Sequence, residues 1–140
     1  MIIGIGTDIV DNQRIERSLS ELGDRFRERI FTPGEIAYCE AYARPAERYA
    51  ARFAAKEAAR KAFGSAASIS GLGWRDVEII SSNEGAPQLR FHQRGAELFE
   101  QLKISGAHVS IAHEYGHSVA FVLLESTDLN LMEDHEVRGR

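Results

Sequence analysis

The chain has 140 residues, enough for one domain with a core of its own. Its 44% hydrophobic and 27% charged content excludes a disordered or fibrous protein, and no apolar run nears the roughly 18 residues of a membrane helix. The net charge, 17 − 21 = −4, argues against general nucleic-acid binding.

Met1–Val10, with Ile2, Ile3, Ile5, Ile9 and Val10, reads as a strand. Gly4 and Gly6 inside it predict a bulge or a close backbone approach. No basic segment precedes this run and Asp8 interrupts it, so it does not read as a signal peptide. Asp11 caps a helix carrying Ile15, Leu19 and Leu22, which Gly23 ends. Phe26, Ile30 and Phe31 follow on a short segment. Thr32-Pro33-Gly34-Glu35 has the form of a capping box with proline at the first helical position, opening a helix to about Tyr42. Its Cys39 is the single cysteine, so no internal disulfide forms. That fits a reducing compartment, and a cytoplasmic location is expected. Pro45 opens the longest helix, through about Phe63, with Gly64 as its stop signal.

The second half is richer in strands. Trp74–Ser81 and Gln88–Phe91 flank a turn at Asn83–Pro87, and Gln93–Lys103 reads as a helix. Ala107–His113 and Ser118–Leu124 form a hairpin around Glu114–His117. This order predicts an α+β domain with mainly antiparallel pairing. Residues 1–125 are expected to be the domain and 126–140 a polar tail. Charge is uneven: Asn12–Lys61 holds 11 basic against 8 acidic residues, and Ala62–Arg140 holds 6 against 11. The basic part suits an anionic partner, such as a phosphate ligand or an acidic protein.

His113-Glu114-Tyr115-Gly116-His117 matches the H-E-x-x-H pattern of zinc proteases. That chemistry needs a helix, which puts both histidines on one face with the glutamate beside the bound water. Here Val109, Ile111, Val119, Phe121 and Val122 favour strands and Gly116 interrupts the motif, so a turn between strands is the better reading. Two other segments carry more signal. In Gly4-Ile5-Gly6-Thr7-Asp8-Ile9, Asp8 sits in an apolar strand, where a carboxylate is costly unless paired, hydrogen-bonded or bound to metal. In Arg52–Gly64, Glu57 and Lys61 are neighbours on one helix face among small alanines. Alone, each has an ordinary structural explanation as a capped acid or a surface ion pair.

Together the two segments resemble the signature pair of the small-class 4′-phosphopantetheinyl transferases, the holo-[acyl-carrier-protein] synthase family. Gly4–Ile9 is similar to its G-(I/V)-G-x-D-(I/V) motif, and Arg52–Ala62 to its R-F-x-x-K-E-A-x-x-K-A motif. His108-Val109-Ser110-Ile111-Ala112-His113 is similar to a third stretch, with Ala112 where a hydroxyl residue is usual. The resemblance implies a single domain with a mainly antiparallel sheet packed on a long helix. It implies transfer of the phosphopantetheine arm of coenzyme A to a serine of an acyl carrier protein, in support of fatty acid biosynthesis. Asp8 and Glu57 would hold Mg²⁺, or Mn²⁺, as hard oxygen ligands. Lys61 would offset charge on the leaving phosphate, and Glu57, or a water it orients, would take the serine proton. His108 and His113 are alternatives for the base by residue type. Arg52, Lys56 and Lys61 would bind phosphates of coenzyme A, with Gly64, His108 and Ser110 as further contacts. Arg14, Arg17, Arg25, Arg27 and Arg29, with Phe26 as apolar anchor, would dock the acidic carrier. The family also implies a homotrimer with sites at subunit boundaries. Other readings are the zinc protease and a non-enzymatic α+β binding module.

Overall fold

The central element is a 22-residue helix, α4 (Pro45–Ala66), and the other elements wrap it. The computed structural model describes residues 1–128 and residue 130. Before α4 come β1 (Ile2–Asp11), α1 (Asn12–Leu22), α2 (Asp24–Ile30) and α3 (Pro33–Glu40). After it come a short 3₁₀ turn (Trp74–Asp76), β2 (Val77–Ser81), β3 (Pro87–Phe91), α5 (Gln93–Gln101), β4 (Ile104–Glu114) and β5 (His117–Ser126). The strands form a three-stranded sheet in the order β1-β5-β4 and a two-stranded sheet β2-β3, with every pairing antiparallel. The architecture is the expected α+β arrangement, an antiparallel sheet against a long helix.

Alanine makes that wrapping feasible. Ala50, Ala51, Ala54, Ala55, Ala58, Ala59 and Ala62 are all buried, so neighbours approach α4 from several sides without meeting large side chains. β1 comes closest. A Cβ at Gly6 would lie 1.9 Å from the Ala58 carbonyl oxygen, and one at Gly4 would lie 2.3 Å from that of Ala62. Both outcomes expected of these glycines occur, since the β1–β5 register also shifts between Ile2 and Gly4. The strand thus lies directly on the helix backbone, and Asp8, the next inward position after Gly6, is carried onto α4.

Local signals resolve as the residue types dictate. The Asp11 side chain accepts from the Gln13 amide, and Thr32 and Glu35 complete the capping box. Phe26 and Ile30 lie on a helix, α2. Gly64 does not end α4, which continues to Ala66; the Ala67 amide then donates to the Phe63 carbonyl, and Ser65 Oγ donates to the Ala62 carbonyl. The Trp74–Ser81 segment starts as a 3₁₀ turn and becomes a strand only at Val77. The β4–β5 hairpin closes through Tyr115 and Gly116, both at positive φ (51 and 80), the conformation that tight two-residue turns demand. Ser126 closes β5 with its hydroxyl on the Leu102 and Lys103 carbonyls. Most of the expected polar tail, Leu129 and 131–140, lies outside the described residues.

Candidate active site

Two elements bring the acids together. On β1, Gly6, Asp8 and Val10 alternate toward α4 while Ile5, Thr7 and Ile9 point away. On α4, Glu57 and Lys61 lie one turn apart on the flank beside β1. Lys61 Nζ is 3.1 Å from Asp8 Oδ1 and donates to the Thr7 carbonyl at 3.0 Å. Asp8 keeps 15% of its side chain exposed and Glu57 keeps 28%, so both carboxylates are recessed yet reachable. Burial pushes the Glu57 carboxyl above the ordinary range, and the negative charge of Asp8 pushes the same way; Arg60, Lys61 and Arg14 pull against them. Glu57 therefore senses Asp8 directly, and two like charges share one small space.

The other α4 cations lie elsewhere. Lys56 is turned about 100° from Glu57 around the helix and is fully buried. Its Nζ donates to Glu35 Oε1 and to the Val77 carbonyl, both at 2.6 Å. A solvent-borne phosphate has no access to it, so the expectation that Lys56 binds coenzyme A is corrected: it braces α4 against α3 and β2. Arg52, one turn earlier on that face, is 5% exposed. Its guanidinium lies 3.9 Å above the Tyr38 ring and donates to Ser81 Oγ at 3.0 Å. It too is remote from the acid pair, which corrects its expected phosphate contact within a single chain. Gly64 is exposed on the last turn of α4. His108 and Ser110 project from β4 on the outer face of the sheet, opposite Asp8. There they line a shallow groove of about 230 Å³ with Val109, Phe121, Leu123 and Glu125, and His108 Nε2 is 2.8 Å from Glu125 Oε2.

The H-E-x-x-H segment has no helical geometry. His113 pairs with Ser118 across the hairpin and Glu114 pairs with His117. Among the described residues, no group of three His, Cys, Asp or Glu side chains is placed to hold a metal ion. A two-carboxylate site completed by ligand oxygens is a different matter.

Residues 4–120 match the 4′-phosphopantetheinyl transferase superfamily. The chain belongs to that superfamily. It is 46% identical over 125 residues to the holo-[acyl-carrier-protein] synthase of Koribacter versatilis, covering 89% of this chain and 99% of the relative. It superposes on the holo-[acyl-carrier-protein] synthase of Neisseria meningitidis with a TM-score of 0.81 at 35% identity, covering 90% and 100% of the two chains. The Bacillus anthracis synthase, solved in complex with CoA (3′,5′-ADP), gives 0.72 at 36% identity, covering 91% and 99%.

In this transferase the donor set suits a hard divalent cation. Asp8 and Glu57 offer only carboxylate oxygens, and their mutual repulsion is what such a cation relieves. Arginines lie on α1 and α2, and the charge of Arg14 among them acts on Glu57. Arg14 and Arg17 are exposed on α1, and Arg25 and Arg29 on α2. Half-buried Phe26 lines a groove of about 290 Å³ with Leu22, Arg25, Arg29, Ile30 and Trp74. Trp74 and Arg60 are additions that sequence reasoning missed. Trp74 stacks on Phe53 with ring centroids 5.2 Å apart, and Arg60 lies 4.8 Å over the Trp74 ring. Its being the single tryptophan of the chain was the available signal.

Among the described residues, no helix is long and apolar enough to cross a membrane.

Proposed function

We propose that this chain moves the 4′-phosphopantetheine arm of coenzyme A onto a serine of an apo acyl carrier protein, releasing adenosine 3′,5′-bisphosphate. The reading rests on the meeting of Asp8, Glu57 and Lys61 where β1 crosses α4. The serine oxygen bonds to the phosphorus that bears the pantetheine arm, the pyrophosphate linkage breaks, and the bisphosphate departs with the bonding pair. Glu57 stands as acceptor of the serine proton, directly or through a water it orients. Lys61, half exposed, supplies positive charge to the leaving phosphate. Mg²⁺ or Mn²⁺ held by Asp8 and Glu57 would, when bound, neutralise diphosphate charge. Incubating the protein with coenzyme A, Mg²⁺ and an apo carrier should add the mass of one phosphopantetheine to the carrier. No mass gain in an assay that a related synthase completes would overturn the reading. Buried, unpaired Cys39 agrees with action in a reducing cytoplasm.

Arg14, Arg17, Arg25 and Arg29, with the Phe26 groove, would dock the acidic carrier, while Arg27 is half-buried and held by Glu40 and Asp24. Charge reversal at Arg14 and Arg25 should slow association and flatten its salt dependence. An association rate unchanged across ionic strength in stopped-flow measurements would refute this.

The active unit would be a trimer. The outer sheet face exposes Ile5, Ile9, Val119 and Phe121 at 53%, 66%, 37% and 41%, an apolar surface that a second copy would cover. His108 and Ser110 lie on this face, so a neighbouring copy would bring them to an acid pair they cannot reach within their own chain. Light scattering should give three times the chain mass; an active monomer would refute this.

A further inference from the structure

Arg60 stands between two features that the reaction uses and belongs to neither. It lies on α4 one turn after Glu57, with Nε 3.9 Å from Glu57 Oε1. Its Nη1 donates to the Leu72 carbonyl at 2.7 Å, and its guanidinium lies 4.8 Å over the Trp74 ring. Trp74 is part of the wall of the α1–α2 groove and is backed by Phe53. One planar group is thus fixed by a carbonyl, an aromatic face and a carboxylate. A guanidinium can serve all three because its donors lie in a rigid fork and its faces stack.

We propose that Arg60 is a positioning residue that couples the Asp8–Glu57 site to the carrier groove through Trp74. The proposal rests on the transferase reading above. A cation arriving between the acids changes the charge that Arg60 faces, and the guanidinium shifts on the indole. A carrier pressing on Trp74 in turn holds Arg60, and through it Glu57, in place. Coupling of this kind is reciprocal: each ligand alters the affinity for the other by the same factor. Lys61 cannot substitute, because it is directed to Asp8 and Thr7 rather than toward the groove.

Trp74 is the chain's single tryptophan, so its emission reports on the groove wall without interference. Mg²⁺ added to the full chain should change that emission, and an apo carrier should change it as well. Arg60→Met keeps the length of the side chain and loses the charge and the fork. In this variant the Mg²⁺ response should vanish while the carrier response remains. Its kcat should fall about tenfold through loss of orientation, with KM for coenzyme A unchanged. Arg60→Lys keeps the charge without the fork, and should restore the Mg²⁺ response in part but not kcat. A Mg²⁺ response in Arg60→Met equal to that of the unmodified chain would overturn the coupling, as would an active unmodified chain whose emission ignores Mg²⁺. Failure of the unmodified chain to modify a carrier would instead defeat the transferase reading.

Discussion

Asp8→Ala and Glu57→Ala should each lower the rate of carrier modification by at least about a hundredfold. The two acids reach the site by different routes, so neither can replace the other. Asp8 is fixed by a strand that lies on the α4 backbone at Gly4 and Gly6, and has no freedom to move along the helix. Glu57 belongs to the helix itself and projects beside Lys61. Loss of either leaves one carboxylate to hold a divalent ion and leaves the diphosphate less well neutralised. Folding should be almost untouched. Glu57→Ala removes a charge that crowds Asp8. Asp8→Ala removes a partner of Lys61, whose side chain is 53% exposed, and such pairs contribute only about 0–1 kcal/mol. The checks are the carrier's mass gain over time and a thermal melt of each variant. A variant that melts normally and keeps more than about a tenth of the activity would remove its residue from the site.

The parts of this fold visible in the sequence were those set by local chemistry. Thr32-Pro33-Gly34-Glu35 announced a helix start because a capping box needs only four consecutive residues. Gly4 and Gly6 announced a close approach because an apolar strand has little other use for them. The union of Asp8 with Glu57 was legible through resemblance, since nothing local links positions so far apart. What stayed hidden was which side of α4 each neighbour covers. Arg52, Lys56, Glu57 and Lys61 are four charged residues on one helix, and the sequence offers them as a single cluster. The fold divides them, because α3 and β2 cover the side bearing Arg52 and Lys56 while β1 lies beside Glu57 and Lys61. His108 and Ser110 were obscured for a similar reason: alternation separates them from their neighbours without telling which face meets the helix. Trp74 reads as a strand residue because its apolar bulk suits a strand equally well, yet it lies in the 3₁₀ turn.

The largest effect on stability should come from Glu35→Ala. Glu35 is 1% exposed, and its two oxygens organise three elements at once. Oε1 accepts from the Thr32 amide at 2.9 Å and from Lys56 Nζ at 2.6 Å, and Oε2 accepts from the Ile79 amide at 2.9 Å. The residue that completes the capping box of α3 is therefore also the clamp that holds α4 and β2. Removing it orphans two buried amides and leaves the Lys56 ammonium with only the Val77 carbonyl. A loss of about 3–5 kcal/mol should follow, read as a lower urea midpoint. Lys56→Met should cost less, because the Glu35 carboxylate keeps both amides and the methionine fills most of the space of the lysine stem. The pH dependence separates the two variants. Burial already pushes the Lys56 ammonium below its ordinary pKa, with Glu35 pulling the other way. Without Glu35 that depression deepens, so the folded chain releases the proton at a pH where the unfolded chain still holds it. Stability of Glu35→Ala should therefore rise, relative to the unmodified chain, as pH climbs toward the usual lysine range, and Lys56→Met should show no such gain. A Glu35→Ala variant as stable as the unmodified chain, or one whose stability falls with rising pH, would mean that Lys56 escapes to water and that the clamp is not what holds α4.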